Sequence, residues 1–191
     1  MTLSNTSSTI LMVPGLRDHV AEHWQTLLEA ELRAAGHKAV SVPPLEVDKL
    51  SCTARVAALD KAISAIAGPV ILMAHSAGVM ITVHWARLHT RKIRGALLAT
   101  PADLDTQLPS GYPTHDVLQE NGWLPCPRHP LPFPSIVAAS RNDPLASFER
   151  VASMAADWGS RLVDLGDVGH LNPASGFGPW PGAQALIAAL R

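Results

Sequence analysis

The sequence contains little cysteine, few aromatic residues and little charge. Of its 191 residues, 5% are aromatic, 16% are charged and 47% are hydrophobic, and cysteine occurs only twice. Cys52 and Cys126 fall in segments of different kinds, a predicted helix start and a proline-rich stretch, so no disulfide framework is implied. The large apolar fraction excludes a disordered or fibrous chain. We therefore expect one globular domain over residues 1–191.

Neither sign of charge dominates, because 15 Lys and Arg residues are balanced by 16 Asp and Glu residues. No basic run interleaved with aromatic residues occurs, so we expect no nucleic-acid partner. We expect no membrane partner either, because the most apolar region, residues 69–86, is interrupted by His75, Ser76 and His84. The first eight residues lack basic side chains, and the apolar run after them is too short for a signal peptide, which predicts a cytoplasmic location.

Short continuous apolar runs alternate with segments of helical spacing along most of the chain. Uninterrupted apolar strands are typical of a sheet that is covered on both faces. The strands are predicted at residues 9–13, 38–42, 70–73, 93–99, 135–139 and 161–165. The helices are predicted at residues 22–35, 53–67, 77–89, 145–158 and 182–190. Because strand–helix–strand crossovers build parallel sheets, the pattern predicts a doubly wound, mostly parallel α/β fold.

Residues 101–134 break this alternation. They contain half of the 16 prolines, together with Tyr112, Trp123 and Phe133. Proline fixes φ and lacks an N–H group, so the segment is predicted to form neither one long helix nor a central strand. Loops of this length often act as lids or binding loops. A surface connection packed by its own aromatic residues is the alternative, with about equal weight.

The clearest chemical signal is Ala74-His75-Ser76-Ala77-Gly78, where the third predicted strand meets the next helix. A tight strand-to-helix turn holds a serine hydroxyl out of the sheet, and small neighbours at Ala74 and Gly78 let the backbones approach closely. The usual motif begins with glycine, so Ala74 is a departure. By itself the string is also typical of a helix start, at which Ser76 would serve as the N-cap.

A nucleophilic serine needs a base and an acid that orients the base, and both candidates follow later strands. Asp143 comes after the fifth predicted strand and His170 after the sixth, at the edge where an open parallel sheet forms its ligand crevice. Asp143 has a second potential role, because Pro144 would suit the first position of a helix that Asp143 caps. Three other carboxylates are reserve candidates for the acid: Asp103, Asp105 and Asp167.

Further segments match one known family when they are taken together. They are Val13-Pro14-Gly15-Leu16, His23-Trp24, the Ser76 motif, Pro132-Phe133-Pro134-Ser135, Ser140-Arg141-Asn142-Asp143-Pro144, Trp158-Gly159, Gly169-His170-Leu171-Asn172 and Ser175-Gly176-Phe177-Gly178-Pro179-Trp180. With these segments the chain resembles the small α/β-hydrolases of the retinoblastoma-binding protein 9 type, which are serine hydrolases. The resemblance implies a compact α/β-hydrolase fold without a large cap domain. It also implies Ser76 as nucleophile, His170 as base and Asp143 as the acid.

A carboxylesterase-like activity follows from this interpretation. Ser76 would form an acyl-enzyme with a small-molecule ester, thioester or amide, and no cofactor would be needed. The backbone N–H groups of Leu16 and Ala77 are the expected oxyanion hole. The pocket is expected to be shallow, formed by residues 101–134 and three aromatic candidates: Trp123, Phe177 and Trp180. The Leu-x-Cys-x-Glu motif for retinoblastoma binding is missing, because Ala54 stands at the acidic position of Leu50-Ser51-Cys52-Thr53-Ala54.

Two other classes of function remain open at this point. A catalytically silent binding or scaffold protein would keep the fold without the activity. A zinc hydrolase is a remote alternative, because His19-Val20-Ala21-Glu22-His23 matches a pattern that places two imidazoles on one helical face. The expected metal is none, since catalytic zinc needs a third protein ligand and no partner motif follows. An acyltransferase would use the same acyl-enzyme, and the oligomeric state is left open.

Overall fold

The computed structural model describes residues 8–190 and is built on a six-stranded sheet. The strands are β1 (Thr9–Val13), β2 (Ala39–Ser41), β3 (Val70–His75), β4 (Gly95–Ala99), β5 (Ser135–Ala139) and β6 (Arg161–Asp164). Their order across the sheet is β2-β1-β3-β4-β5-β6, and neighbouring strands pair in parallel. The chain thus winds outward in both directions from β1 and β3. The predicted doubly wound α/β fold is confirmed.

Helices connect the strands, as parallel crossovers require. They are α1 (Trp24–Ala34), α2 (Cys52–Ser64), α3 (Ala77–Leu88), α4 (His115–Glu120), α5 (Phe148–Asp157) and α6 (Gly182–Ala188). Five of them were predicted; the starts of α3 and α6 match the structure, and the other ends are displaced by one to three residues. The prediction for α5 started too early, because Ser147 is the N-cap and accepts a hydrogen bond from the Arg150 amide. No helix in residues 8–190 is long and apolar enough to cross a membrane.

The central strands are buried along their whole length, so each contributes side chains to both faces of the sheet. Leu72 and Leu98 point to the larger apolar cluster, which also contains residues of α2, α3 and α5. Ile71 and Leu97 point to the second cluster, where they meet α1 and α6. This two-residue alternation explains why the strands read as continuous apolar runs.

Residues 101–134 pack onto the larger cluster instead of crossing the open surface. Leu104, Leu118 and Trp123 are buried there, and short α4 is the one regular element in this described segment. The Trp123 indole N–H donates to the Leu50 carbonyl at 2.7 Å, which anchors the segment at the start of α2. The expectation that the segment lacks long regular elements is confirmed. Its action as a lid stays a prediction.

Candidate active site

Ser76 occupies a strained turn between β3 and α3. Its backbone lies in the positive-φ region, at φ 55° and ψ −124°, and its amide donates to the Ala99 carbonyl at 3.1 Å. A methyl group at Gly78 would lie 2.1 Å from the Val13 carbonyl oxygen, so only glycine fits this position. The Ser76 hydroxyl makes no capping hydrogen bond to α3. The capping alternative is therefore wrong for the side chain, which is left free to contact other groups.

The Ser76 hydroxyl contacts a histidine, which in turn contacts a buried carboxylate. The Ser76 Oγ lies 2.8 Å from the His170 Nε2, and the His170 Nδ1 lies 2.8 Å and 3.0 Å from the two carboxylate oxygens of Asp143. The side chains of His170 and Asp143 are 5% and 1% exposed. Because an ionised carboxylate only accepts hydrogen bonds, the proton lies on Nδ1. The Nε2 lone pair is thus directed at the Ser76 hydroxyl.

Asp143 also accepts a hydrogen bond from the Leu145 amide at 2.9 Å. The contact with His170 and this turn hydrogen bond therefore coexist in one side chain, although the helix that Asp143 was expected to cap starts later. The reserve acids lie elsewhere. Asp103 and Asp105 both pair with Arg150, at 2.7 Å and 3.1 Å, and Asp167 is exposed.

Hydrogen bonds fix the backbone of the loop that carries His170. The Nε2 of His75 donates to the His170 carbonyl at 2.8 Å, and the Ser175 hydroxyl accepts from the His170 amide at 3.0 Å. The Asn142 side chain accepts from the Gly169 amide at 2.6 Å, which joins this loop to the one that carries Asp143. Burial, followed by the proximity of His170, lowers the pKa of His75, which keeps its ring neutral. The loops that carry His170 and Asp143 are therefore held as one unit.

Comparison with known proteins agrees with this geometry. A family model described as serine hydrolase matches residues 10–189. The chain belongs to the serine hydrolase family. A solved YdeN-like hydrolase from Pectobacterium atrosepticum is 30% identical, with a TM-score of 0.74 over 96% of this chain and 90% of that chain. A search of curated protein sequences finds no match.

Two more distant structures share the fold of this serine hydrolase. The ydeN gene product of Bacillus subtilis is 18% identical, with a TM-score of 0.72 over 96% of this chain and 98% of that chain. The α/β-hydrolase domain-containing protein 10 from mouse is 15% identical, with a TM-score of 0.71 over 96% and 90% of the two chains. The prediction that this chain is a small serine hydrolase of the α/β-hydrolase superfamily is confirmed.

The turn after β1 lies directly beside Ser76 of the hydrolase. A methyl group at Gly15 would be 3.7 Å from the Ser76 Oγ and 3.3 Å from its Cβ. Leu16 follows in the same turn, and Ala77 opens α3 on the other side of the serine. Within residues 8–190, neither the Leu16 amide nor the Ala77 amide donates a hydrogen bond to another protein group. Both amides are thus available to a bound oxygen atom.

A cavity of about 150 Å³ opens onto Ser76 and His170. Six buried apolar residues that follow β4 form one wall: Ala102, Leu104, Leu108, Leu118, Trp123 and Leu145. The turn after β1 lines the cavity as well, with the charged residues Arg17 and Asp18. Five of the six come from residues 101–134, so the proline-rich segment does shape the pocket. Trp123 was a pocket candidate from the sequence, and it lines this cavity.

The other two aromatic candidates do not reach the cavity of this hydrolase. Phe177 and Trp180 pack against the second core cluster, and the Trp180 ring meets Trp24 edge-on at 4.9 Å. Expecting them in the pocket was wrong, because large aromatic side chains are most often buried in the core. Both residues lie between His170 and α6, in a segment that packs against the cluster of α1 and α6 residues.

The zinc pattern does not form its helical arrangement. Helix α1 begins at Trp24, so His19 and His23 both precede it and do not share a helical face. His23 is buried and caps α1, its Nδ1 accepting from the Gln25 amide at 3.2 Å, while Glu22 is exposed. The zinc interpretation loses the geometry on which it depended.

Both cysteines are buried and free. Burial is the largest cause of a rise to about 12 in the pKa of the Cys52 thiol and of the Cys126 thiol. Because the thiolate is the reactive form, burial disfavours reaction at either cysteine.

Sequence reasoning missed one polar residue that supports the strand ends. The side-chain amide of Gln25 donates to the Met73 carbonyl at 2.7 Å and to the Val13 carbonyl at 3.2 Å, which ties β1 to β3 below Ser76. A glutamine between the apolar residues Trp24 and Leu28 on α1 was the available signal.

Proposed function

We propose that this serine hydrolase cleaves esters of small, uncharged acyl groups through an acyl-enzyme on Ser76. One observation carries the proposal. The hydrogen-bonded series from Ser76 through His170 to Asp143 opens into a cavity with an apolar wall. Such a series turns a weakly nucleophilic hydroxyl into a strong one, because the base accepts the proton as the oxygen attacks.

In the first half of the reaction, the Ser76 Oγ attacks the ester carbonyl carbon while His170 Nε2 takes the hydroxyl proton. Asp143 holds the ring and stabilises the imidazolium. The carbonyl oxygen becomes an oxyanion and accepts hydrogen bonds from the Leu16 and Ala77 amides. When the tetrahedral intermediate collapses, the bond to the leaving oxygen breaks and His170 returns the proton to it. An alcohol leaves and the acyl group stays on Ser76.

In the second half, water replaces the alcohol. His170 removes one proton from the water molecule as its oxygen attacks the acyl-enzyme carbonyl. Collapse of the second intermediate breaks the bond to Ser76, and His170 returns the proton to the serine oxygen. The products are a carboxylic acid and the original enzyme. Thioesters and amides would follow the same steps with a different leaving group.

The character of the cavity wall favours an uncharged acyl chain. The wall residues are alanine, leucine and tryptophan, and the Trp123 N–H is already bonded to Leu50. Each methylene group transferred from water to such a surface contributes about 0.8 kcal/mol. A carboxylate against these residues would lose its hydration without gaining a partner, since the charged lining residues, Arg17 and Asp18, belong to the turn after β1. We therefore expect short aliphatic acyl groups to be preferred over charged ones of equal size.

A fluorophosphonate probe tests this proposal directly. The purified protein is treated with the probe, the adduct is located by mass spectrometry, and the variants Ser76→Ala and His170→Ala are treated in the same way. We expect labelling at Ser76 in the wild type and none in either variant. Ser64→Ala replaces an exposed serine at the end of α2 that does not line the cavity, and it serves as the matched control.

Hydrolysis of short-chain nitrophenyl esters by the same four proteins completes the test. We expect turnover only in the proteins that the probe labels. A correctly folded wild type that is neither labelled nor active would contradict the proposal and would favour the catalytically silent binding protein.

A further inference from the structure

A buried cation that does not belong to the series of Ser76, His170 and Asp143 contacts the turn after β1. Arg55 belongs to α2, and its side chain is 6% exposed. Its guanidinium donates to the Asp18 carboxylate at 3.0 Å and to the Leu16 carbonyl at 3.3 Å. The Nε also donates to the Lys49 carbonyl at 2.6 Å. Two of the three acceptors thus lie in the turn of residues 15–18.

The packing of α2 does not require a charge at this position. Its apolar residues Cys52, Val56, Leu59 and Ile63 already fill the core. Placing a cation among them costs free energy unless it is paired and its donors are satisfied. The three acceptors meet that condition, and a planar guanidinium reaches all of them at once, whereas a lysine ammonium has no such fork. The arginine is therefore explained by what it holds.

The turn needs such a support. Asp18 has φ 53°, a backbone region that residues other than glycine seldom adopt, and its amide donates to the Gly15 carbonyl at 3.1 Å. Gly15 in turn lies against Ser76, as its short distances to the Ser76 side chain show. Any relaxation of the turn would therefore move the Leu16 amide relative to the Ser76 oxygen.

We propose that Arg55 is a positioning residue for the oxyanion site, because it fixes the turn that presents the Leu16 N–H to the reacting oxygen. This inference rests on the proposed function, in which Ser76 is the nucleophile. The oxyanion exists only in the transition state and the tetrahedral intermediates. An interaction that acts there changes kcat and leaves KM nearly constant.

Three substitutions grade the loss of this support. Arg55→Met keeps the apolar stem and removes every donor, and it should lower kcat for a short-chain ester about 100-fold. Arg55→Lys keeps the charge but cannot reach all three acceptors, and it should lower kcat about 10-fold. Asp18→Asn keeps an oxygen acceptor for Arg55, and its effect should be the smallest. KM should change by less than about threefold in all three variants.

A boronic acid inhibitor supplies a readout that a merely structural role would not move. Its boron takes up the Ser76 oxygen to form a tetrahedral adduct, and a boron-bound oxygen stands where the oxyanion would be. If Arg55 positions the turn, the inhibition constant should weaken by the same factor as kcat/KM across the three variants. Arg128→Met is the matched control, since Arg128 also pairs with a carboxylate, Asp157 at 2.6 Å, but lies away from the turn. It should change neither value.

Ser76→Ala separates the two ways in which the test can fail. If Ser76→Ala keeps the wild-type turnover, the proposed function fails and this inference fails with it. If Ser76→Ala is inactive while folded Arg55→Met retains its kcat, or raises only KM, the positioning role alone is overturned. Circular dichroism establishes folding, and if Arg55→Met does not fold, the Arg55→Lys and Asp18→Asn variants decide by the same criteria.

Discussion

The two sides of the cavity are built in different ways. On one side, Ser76, His170 and Asp143 stand at strand ends, and side-chain or backbone hydrogen bonds fix their positions. On the other side, residues 101–134 present apolar side chains that are held mainly by packing. Hydrogen bonds are directional, whereas apolar burial depends chiefly on area. In the proposed reaction, the first side would place the reacting atoms and the second would accept the acyl group.

The largest effect that is confined to the hydrogen-bonded side of the cavity should come from Asp143→Asn. The amide preserves the size of the side chain but can donate to His170 Nδ1, which would favour the wrong tautomer of the ring. We expect kcat to fall about 10⁴-fold with little change in KM. Steady-state kinetics with a short-chain ester measure this. A fall of less than tenfold would mean that Asp143 does not orient the base.

Gly78→Ala tests the backbone beneath the side of the cavity that is fixed by hydrogen bonds, which we call the polar side. The added methyl group would lie 2.1 Å from the Val13 carbonyl oxygen and 2.9 Å from the Pro14 carbonyl oxygen. We expect the free energy of unfolding to fall by about 3 kcal/mol or more, with loss of activity, because neither backbone segment can move freely. Urea denaturation measures the change. Gly68→Ala is the control, because nothing lies within 4 Å of its methyl position and it should remain stable.

Leu108→Ala examines the apolar side. Leu108 lines the cavity within residues 101–134, and truncation removes part of the surface available to an acyl chain. We expect KM for a butyrate ester to rise about fivefold, consistent with about 1 kcal/mol of lost burial, while kcat stays near the wild-type value. Leu131→Ala, in the same segment but outside this cavity, is the control. If kcat falls with Leu108→Ala as steeply as KM rises, the two sides are not separable.

The sequence was most informative where structure depends on near neighbours. The predicted bounds of β1 and β5 match the structure, because a strand buried on both faces is a local apolar run. Strand-end reasoning also selected Ser76, Asp143 and His170, which the structure places within hydrogen-bond distance. Their catalytic role stays a prediction.

Contacts between residues far apart in the chain could not be predicted from the sequence in this way. The hydrogen bond from His75 to the His170 carbonyl joins residues 95 positions apart, and the one from Arg55 to the Leu16 carbonyl spans 39 positions. No periodicity encodes such pairs. The placement of Phe177 and Trp180 failed for a related reason, since both pack against a cluster that includes residues distant in sequence, such as Trp24.

The smallest expected effect concerns how the free energy of unfolding changes at acidic pH. His23 caps α1 on the polar side of the cavity, and burial, with a smaller contribution from His170, lowers the pKa of its ring to about 4. The unfolded chain protonates His23 near pH 6.5, so the folded state binds fewer protons between these two values. The stabilising contribution is complete above pH 6.5 and is lost as the pH falls towards 4.

His23→Asn isolates this contribution, because asparagine still offers an oxygen to cap the Gln25 amide but does not titrate. Urea denaturation at pH 7.5 and pH 5 gives the acid-induced loss of stability for each protein. We expect this loss to be about 1 kcal/mol smaller in the variant, a value reduced for the part of the ring that solvent reaches. Buried His75 is present in both proteins, so burial lowers its pKa in both; only the smaller lowering that comes from neighbouring His23 is removed by the substitution. Equal losses would mean that burial does not keep the His23 ring neutral.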